Sequence, residues 1–239
     1  MSEALILHIE SATNICSVAL SQGQQPLSLV ESGQERSHAT LLNRFIRKAL
    51  SDAGKSLKQL DGVAVSMGPG SYTGLRIGVS TAKGIAYALE IPLLASGTLE
   101  NMAFGTQNHP KILALSKESA EPMLLCPMLD ARRMEVYSAF YTRDLNEFRE
   151  VKADIIDEKS YREILETHQV SFFGNGSGKC KEALSHPHAF FLEDIHPSAA
   201  SMIGPVLGRF HKEHFEDLAY FEPFYLKDFV ATTPRKKVL

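Results

Sequence analysis

Apolar residues recur at strand spacing over residues 5–9, 16–20 and 27–31, with turn-rich linkers at residues 11–14 and 22–26, and this predicts a three-stranded antiparallel meander. A helical stripe follows. Leu41, Leu42, Phe45, Ile46, Ala49 and Leu50 line one face over residues 37–52, with Ser37 as N-cap, Arg44, Arg47 and Lys48 opposite, and Gly54 just past the end. Next, Val63, Ala64 and Val65 form a short strand, Gly68-Pro69-Gly70 a tight turn, and residues 73–89 a second helix with Ser71 or Thr73 as its cap. Residues 91–95 add a strand, which gives the order β-β-β-α-β-α-β. That order puts the first hairpin beside the glycine turn at one edge of a mixed sheet, where α/β folds bind ligands.

The second helix has no proper solvent face. Leu75, Val79, Ala82, Ala86 and Leu89 fall on one side and Gly74, Gly78, Thr81, Ile85 and Ala88 on the other, with Arg76 and Lys83 as its only charges. A helix that is small and apolar all round is buried on both sides, either as a core helix or as one whose second face meets a partner subunit.

Around residues 105–117 the pattern loosens and marks a lobe boundary, so residues 1–105 form an N-terminal lobe and residues 106–239 a C-terminal lobe with an irregular tail from Phe221. In the second lobe, strands are predicted over residues 123–129, 135–141, 170–173 and 189–192. Short helices are predicted near residues 160–166, where Ser160 and Glu163 suggest a capping box, at 179–184 and at 197–210. No repeat is visible in the sequence.

Composition changes this picture little. The 239 residues are 44% hydrophobic and 22% charged with a net charge of -3, ordinary globular values that offer no broad basic surface. Arg235, Lys236 and Lys237 form the single basic cluster, read as a solvated end. Cys16, Cys126 and Cys180 lie far apart, as in a reduced cytosolic chain. The glycine-broken helix at 73–89 is too short in apolar residues to span a membrane, and Glu3, His8 and Glu10 interrupt any leader-like run, so a cytoplasmic protein is expected.

The motif search mostly excludes. Residues 174–179 resemble a phosphate loop, but Phe173 replaces its first glycine and Cys180 its magnesium-binding hydroxyl. Pro69 and Asn175 spoil both candidate nucleophile elbows, and neither an H-E-x-x-H nor a paired-cysteine motif is present. His38 reads as a capping or packing residue. The charged knot from Asp130 to Glu135 reads either as a solvated hairpin turn or as a polar rim to an interlobe cleft.

Taken together, His8-Ile9-Glu10-Ser11-Ala12-Thr13, Arg36-Ser37-His38 with Leu41-Leu42, and above all the block from Gly68 to Gly78 resemble the TsaB family, also called YeaZ. Asp130-Ala131-Arg132-Arg133 with Glu135-Val136-Tyr137, and Tyr225-Leu226-Lys227, extend the likeness over nearly the whole chain. The resemblance implies an α/β fold of two ribonuclease-H-like lobes of the actin, hexokinase and Hsp70 (ASKHA) type. It also implies a role in making N6-threonylcarbamoyladenosine at position 37 of tRNAs that read codons beginning with A. A separate enzyme makes threonylcarbamoyl-adenylate, TsaD transfers the group, and TsaE is an accessory ATPase.

In TsaD two histidines and an aspartate bind a metal; their positions fall here on Thr98, Met102 and Ser198, which cannot replace that set. The place of its second phosphate turn holds Asp130 to Glu135, whose carboxylates repel a triphosphate. The resemblance therefore implies a non-catalytic partner of TsaD that needs no cofactor, meets tRNA only within the complex and forms homodimers when alone. Leu41, Leu42, Phe45, Gly74, Gly78, Thr81 and Ile85 are the expected interface. Glu10 stands where most members have Asp, and Ser11 where they have Thr. Residual ATP or ADP binding is left open at Glu10, Ser11, Gly68, Gly70 and Ser71. The competing readings are an ATPase or small-molecule kinase of the same fold, and a peptidase acting on TsaD.

Overall fold

The computed structural model describes residues 3–32, 38–118 and 121–227. Ser37, Arg36 and the basic cluster at Arg235, Lys236 and Lys237 lie outside the described residues. The first sheet is built from β1 (Leu5–Glu10), β2 (Cys16–Gln22), β3 (Gln25–Ser32), β4 (Gly62–Gly68) and β5 (Leu93–Gly97), in the order β3-β2-β1-β4-β5. β1, β2 and β3 pair antiparallel, whereas β4 runs parallel to β1 and β5 parallel to β4. Two helices cover one face, α1 (His38–Asp52) and α2 (Tyr72–Leu89). Their buried stripes close on Leu7, Ile9, Val18, Val63 and Val65 in one core cluster.

The second sheet repeats this plan. It holds β6 (Met123–Asp130), β7 (Glu135–Thr142), β8 (Glu147–Ile155), β9 (Gln169–Phe173) and β10 (Ala189–Leu192), in the order β10-β9-β6-β7-β8. Read from β8, that is the order of the first sheet with the same parallel and antiparallel pairings. The two ribonuclease-H-like lobes are thus one topology built twice, although no sequence repeat announces it. The helices are not repeated. Between β8 and β9 stands only α5 (Arg162–Leu165), and between β9 and β10 the 3₁₀ turn Gly178–Cys180, where a helix was expected over residues 179–184.

Two helices join the lobes. α3 (Thr98–Thr106) buries Leu99, Met102 and Ala103 in the second-lobe core while following directly on β5. α4 (Pro110–Glu118) occupies the region that the loosened pattern suggested was irregular, with Ile112 fully buried. The expected dividing line after residue 105 falls at the end of α3. Near the C-terminus the chain returns: the 3₁₀ turn Ala199–Met202 and α6 (Ile203–His211) pack Ala199, Met202, Val206 and Leu207 against Ile6, Ala19, Ala64 and Leu94, on the face of the first sheet opposite α1 and α2. The helix expected from residue 197 therefore opens as a 3₁₀ turn capped by Ser198, whose hydroxyl accepts from Ala200 N–H at 3.2 Å.

Two further expectations are corrected. β8 was not foreseen, because as an edge strand it carries Glu147, Arg149, Glu150, Lys152 and Asp154 and lacks an apolar run. The capping box at Ser160 does not form: its hydroxyl closes a turn on Asp157 instead, and Tyr161 in left-handed conformation precedes α5.

Candidate functional site

The site is the junction between the β1–β2 turn and the turn after β4. Ser71 caps α2 by accepting from Gly74 N–H at 3.3 Å, and Gly68, at φ 115°, lets the strand turn sharply into the cis Gly68-Pro69 bond. Here the backbones fuse. Ser71 N–H donates to the Ala12 carbonyl at 2.6 Å, and the Ser11 hydroxyl donates to the Gly74 carbonyl at 2.9 Å. A Cβ at Gly70 would overlap the Ala12 carbonyl, one at Gly74 the Ser11 carbonyl, and one at Gly78 the Ser11 hydroxyl.

The interface expected at α2 is corrected on this point. Gly74 and Gly78 are buried against the first hairpin and do not face away from the core. Leu41, Leu42 and Phe45 are likewise core residues of the first lobe, and Thr81 and Ile85 are half-buried. The exposed face of α2 consists of Thr73, Arg76, Ser80, Gly84, Tyr87 and Ala88. Its two charges are occupied: Arg76 stacks on Tyr72 at 4.1 Å and donates to the Tyr225 hydroxyl at 3.1 Å, while Lys83 donates to the Ala219 and Phe221 carbonyls.

Glu10 and Ser11 are fully buried. One Glu10 carboxyl oxygen accepts from Ala12 N–H at 2.7 Å; the other has no hydrogen-bond partner among the described residues. Burial pushes the Glu10 carboxyl up to about 7, and the Ala12 N–H only partly offsets this. Two positions along β1 on the same face, His8 is also shut in, with Nε2 at 2.9 Å from the Ser21 hydroxyl, and burial holds its ring down at about 3.

Beyond this junction the lobes flank a cleft of about 630 Å³. Its first-lobe wall is Thr13, Asn14 and residues 69–73; its second-lobe wall is Asp130, Ala131 and Arg132 with Asn175. The charged knot is thus both a hairpin turn and the polar rim of a cleft. Asn175 accepts from Asp130 N–H at 3.0 Å, Lys179 forms an ion pair with Asp130 and donates to the Glu135 carbonyl at 2.7 Å, and Arg132 and Arg133 are in the left-handed region.

Several groups weighed for a nucleotide are engaged within the chain. The acid that would meet a hydrated magnesium is sealed below the turn with its proton favoured up to about pH 7, and an N–H at the start of α2 is already taken by Ala12. Carboxylates at Asp130 and Glu135 stand where a second phosphate turn would need open backbone. The three positions weighed as metal ligands are engaged elsewhere. The Thr98 hydroxyl is 2.7 Å from that of Ser66, Met102 is core, and Ser198 donates to Glu31 at 2.6 Å. Among the described residues no group of three His, Cys, Asp or Glu could hold a metal ion.

Sequence reasoning missed the Ala12 carbonyl and the partners of Arg76 and Lys83. The two lone charges on α2 were the available signal.

Residues 27–234 match the family model described as "TsaD: tRNA N6-adenosine threonylcarbamoyltransferase". The tRNA threonylcarbamoyladenosine biosynthesis protein TsaB of Buchnera aphidicola (subsp. Acyrthosiphon pisum) is 30% identical over 68% of this chain and 69% of its own length. This chain belongs to the TsaB family. The Escherichia coli TsaB is 37% identical over 59% of this chain and 56% of its own, so the match spans little more than half of that relative. Within the wider family the likeness reaches the transferases themselves. A tRNA N6-adenosine threonylcarbamoyltransferase of Methylorubrum extorquens is 48% identical over 65 residues, 27% of this chain and 19% of its own. The solved structure "YeaZ from Pseudomonas aeruginosa" superposes with a TM-score of 0.79 over 93% of this chain and all of that one, at 22% identity, and so shares the two-lobed TsaB fold.

Proposed function

We propose that the chain takes part in tRNA threonylcarbamoyladenosine biosynthesis as a partner, without chemistry of its own, of a TsaD-type transferase acting at position 37 of tRNAs that read codons beginning with A. The sealed glycine turn carries this reading: Ser71 N–H is held by Ala12 and Glu10 is closed beneath it, so groups that would handle phosphate are used to brace the chain. The likeness to proteins named for this pathway supplies the substrate class.

The partner docks along the outer face of α2. Thr73, Ser80, Gly84 and Ala88 form a small, uncharged stripe on which another helix can approach closely, and a side chain at Gly84 would meet nothing within 4 Å. The same stripe would pair two copies when the transferase is absent. TsaE joins the assembly, tRNA meets the chain only within it, the cytoplasm is its compartment, and no cofactor is needed.

Reconstitution tests this. The adenylate-forming enzyme, TsaD, TsaE, tRNA, threonine, bicarbonate and ATP are combined with and without this chain, and modified adenosine is read by mass spectrometry. Product is expected to require the chain, to persist with Glu10→Gln and to be lost with Gly84→Arg. Gly84→Arg is the informative variant, because an arginine at this open, exposed site leaves the fold intact. Product formed equally with Gly84→Arg would overturn the docking face. ATP hydrolysis by the chain alone, abolished by Arg132→Ala in the cleft, would favour the ATPase reading.

A further inference from the structure

After α6 the chain crosses the molecule as a hydrogen-bonded strap. Glu216 N–H donates to the Leu93 carbonyl at the start of β5, at 2.8 Å. Lys83 then grips the strap from α2, 3.3 Å from the Ala219 carbonyl and 3.0 Å from that of Phe221. Phe224 N–H donates to the Met67 carbonyl at 2.8 Å, and its own carbonyl presses on Gly68 so closely that a Cβ there would lie 2.8 Å away. Tyr225 packs on Tyr72 with ring centroids 5.0 Å apart and accepts from Arg76. Two residues on, Lys227 forms an ion pair with Glu135, in the second lobe. The strap therefore touches, in order, the start of β5, the middle of α2, the glycine turn, the first turn of α2 and the β6–β7 hairpin.

α3 and the return from β10 to the 3₁₀ turn Ala199–Met202 join the lobes away from the residues that line the cleft, and this strap joins them again on the cleft wall where Tyr225 and Lys227 stand. A pair of lobes tethered on one side can swing; tethered on both, it holds one separation. We propose that residues 216–227 are an interlobe latch that fixes the aperture of the cleft, and that a partner seated on α2 acts on the second lobe through it. The second half of this inference rests on the docking reading; the first half does not.

The test uses the full chain with dyes on Ser51→Cys in α1 and Glu150→Cys in β8, since Cys16, Cys126 and Cys180 are buried and leave these the accessible thiols among the described residues. The unaltered latch is expected to give one narrow interdye distance distribution. Lys227→Glu and Tyr225→Ala each broaden it and shift it to longer distance, and Glu135→Lys added to Lys227→Glu restores it. Distributions left unchanged by both single variants, or a lowered unfolding midpoint with no restoration by the charge exchange, overturn the latch. With a TsaD-type partner, amide exchange at the β6–β7 hairpin slows several-fold in the unaltered chain and not in Lys227→Glu. Equal slowing in both overturns the coupling through the strap. A partner that fails to co-elute with the unaltered chain overturns the docking reading and leaves the first arm to decide the latch.

Discussion

The first lobe covers its sheet with helices of 15 and 18 residues; the second, with the same strand order, puts a helix of 4 residues and a 3₁₀ turn in the corresponding places. What the second lobe lacks in helices it makes up with large side chains. Phe140, Tyr161, Phe172 and Phe191 pack ring against ring at centroid distances of 4.9 to 6.4 Å, over the face that a helix covers in the first lobe. Above them Asp154 accepts from Ser138, Arg149 and Tyr161, and Arg149 lies 5.7 Å over the Phe140 ring. One topology can thus be stabilised by helix packing or by an aromatic cluster with a polar lid. Only the first solution leaves a long helix face available to a partner.

The largest expected effect tests the aromatic solution. Phe172 is fully buried at the centre of the ring cluster, so Phe172→Ala should destabilise the chain by about 4 kcal/mol through lost burial and the cavity left behind. Denaturant unfolding measures it. A cost below about 1 kcal/mol would mean that the second lobe is held by its sheet and connectors and not by the rings.

The next effect belongs to the first lobe and depends on pH. The folded-state pKa of Glu10 is raised from 4.5 to about 7, so the folded chain retains a proton that the unfolded chain has released. Stability on this account is full below pH 4.5, falls as pH rises, and is lost by pH 8, a difference of about 3 kcal/mol at 1.36 kcal/mol per pKa unit. Glu10→Gln cannot ionise. Measured against it, the unaltered chain should lose about that much stability between pH 4.5 and pH 8. Parallel stability profiles would show that Glu10 is not closed in as described. His8 acts in the opposite sense, since its lowered pKa costs stability as pH falls below 6.5.

How far the sequence revealed this molecule follows from the same contrast. The first lobe was legible because α1 buries one stripe and β1 and β2 are short apolar runs bounded by turn residues, and such elements read well from sequence. The glycine turn was legible too, and Asp130 to Arg132 of the polar knot do line the cleft. α3 was illegible because it is wedged between elements and buries Thr98, Leu99, Asn101, Met102, Ala103 and Thr106, which leaves no polar stripe to mark it. The duplicated topology was legible only through the family resemblance, because strand pairing leaves no sequence identity between the lobes. The strap was illegible because an irregular segment has no period. On α2 the error was one of sides: glycine carries no hydrophobic signal, and only the approach of the Ser11 and Ala12 backbone reveals that Gly74 and Gly78 face inward.

Those glycines allow the α2 assignment to be checked by one substitution with opposite signs. Gly74→Ala places a methyl group against the Ser11 carbonyl and should cost about 2–3 kcal/mol, because backbone on both sides must give way. Normal stability would put the hairpin elsewhere and reopen the phosphate turn.

The smallest effect is the most discriminating. Gly84 lies on the exposed face of the same helix, ten residues further along, with open space where a Cβ would stand. Gly84→Ala should therefore stabilise the isolated chain by about 0.5–1 kcal/mol, through the lower backbone entropy of alanine in the unfolded state. Thermal unfolding would show this as a midpoint a few degrees higher. If the transferase docks as proposed, the same methyl group meets a partner helix at its closest approach, and affinity for the transferase should fall even as the free chain becomes more stable. A variant that is both more stable and equally well bound would show that Gly84 is an ordinary surface glycine, and would move the docking face away from the stripe through Ser80 and Ala88.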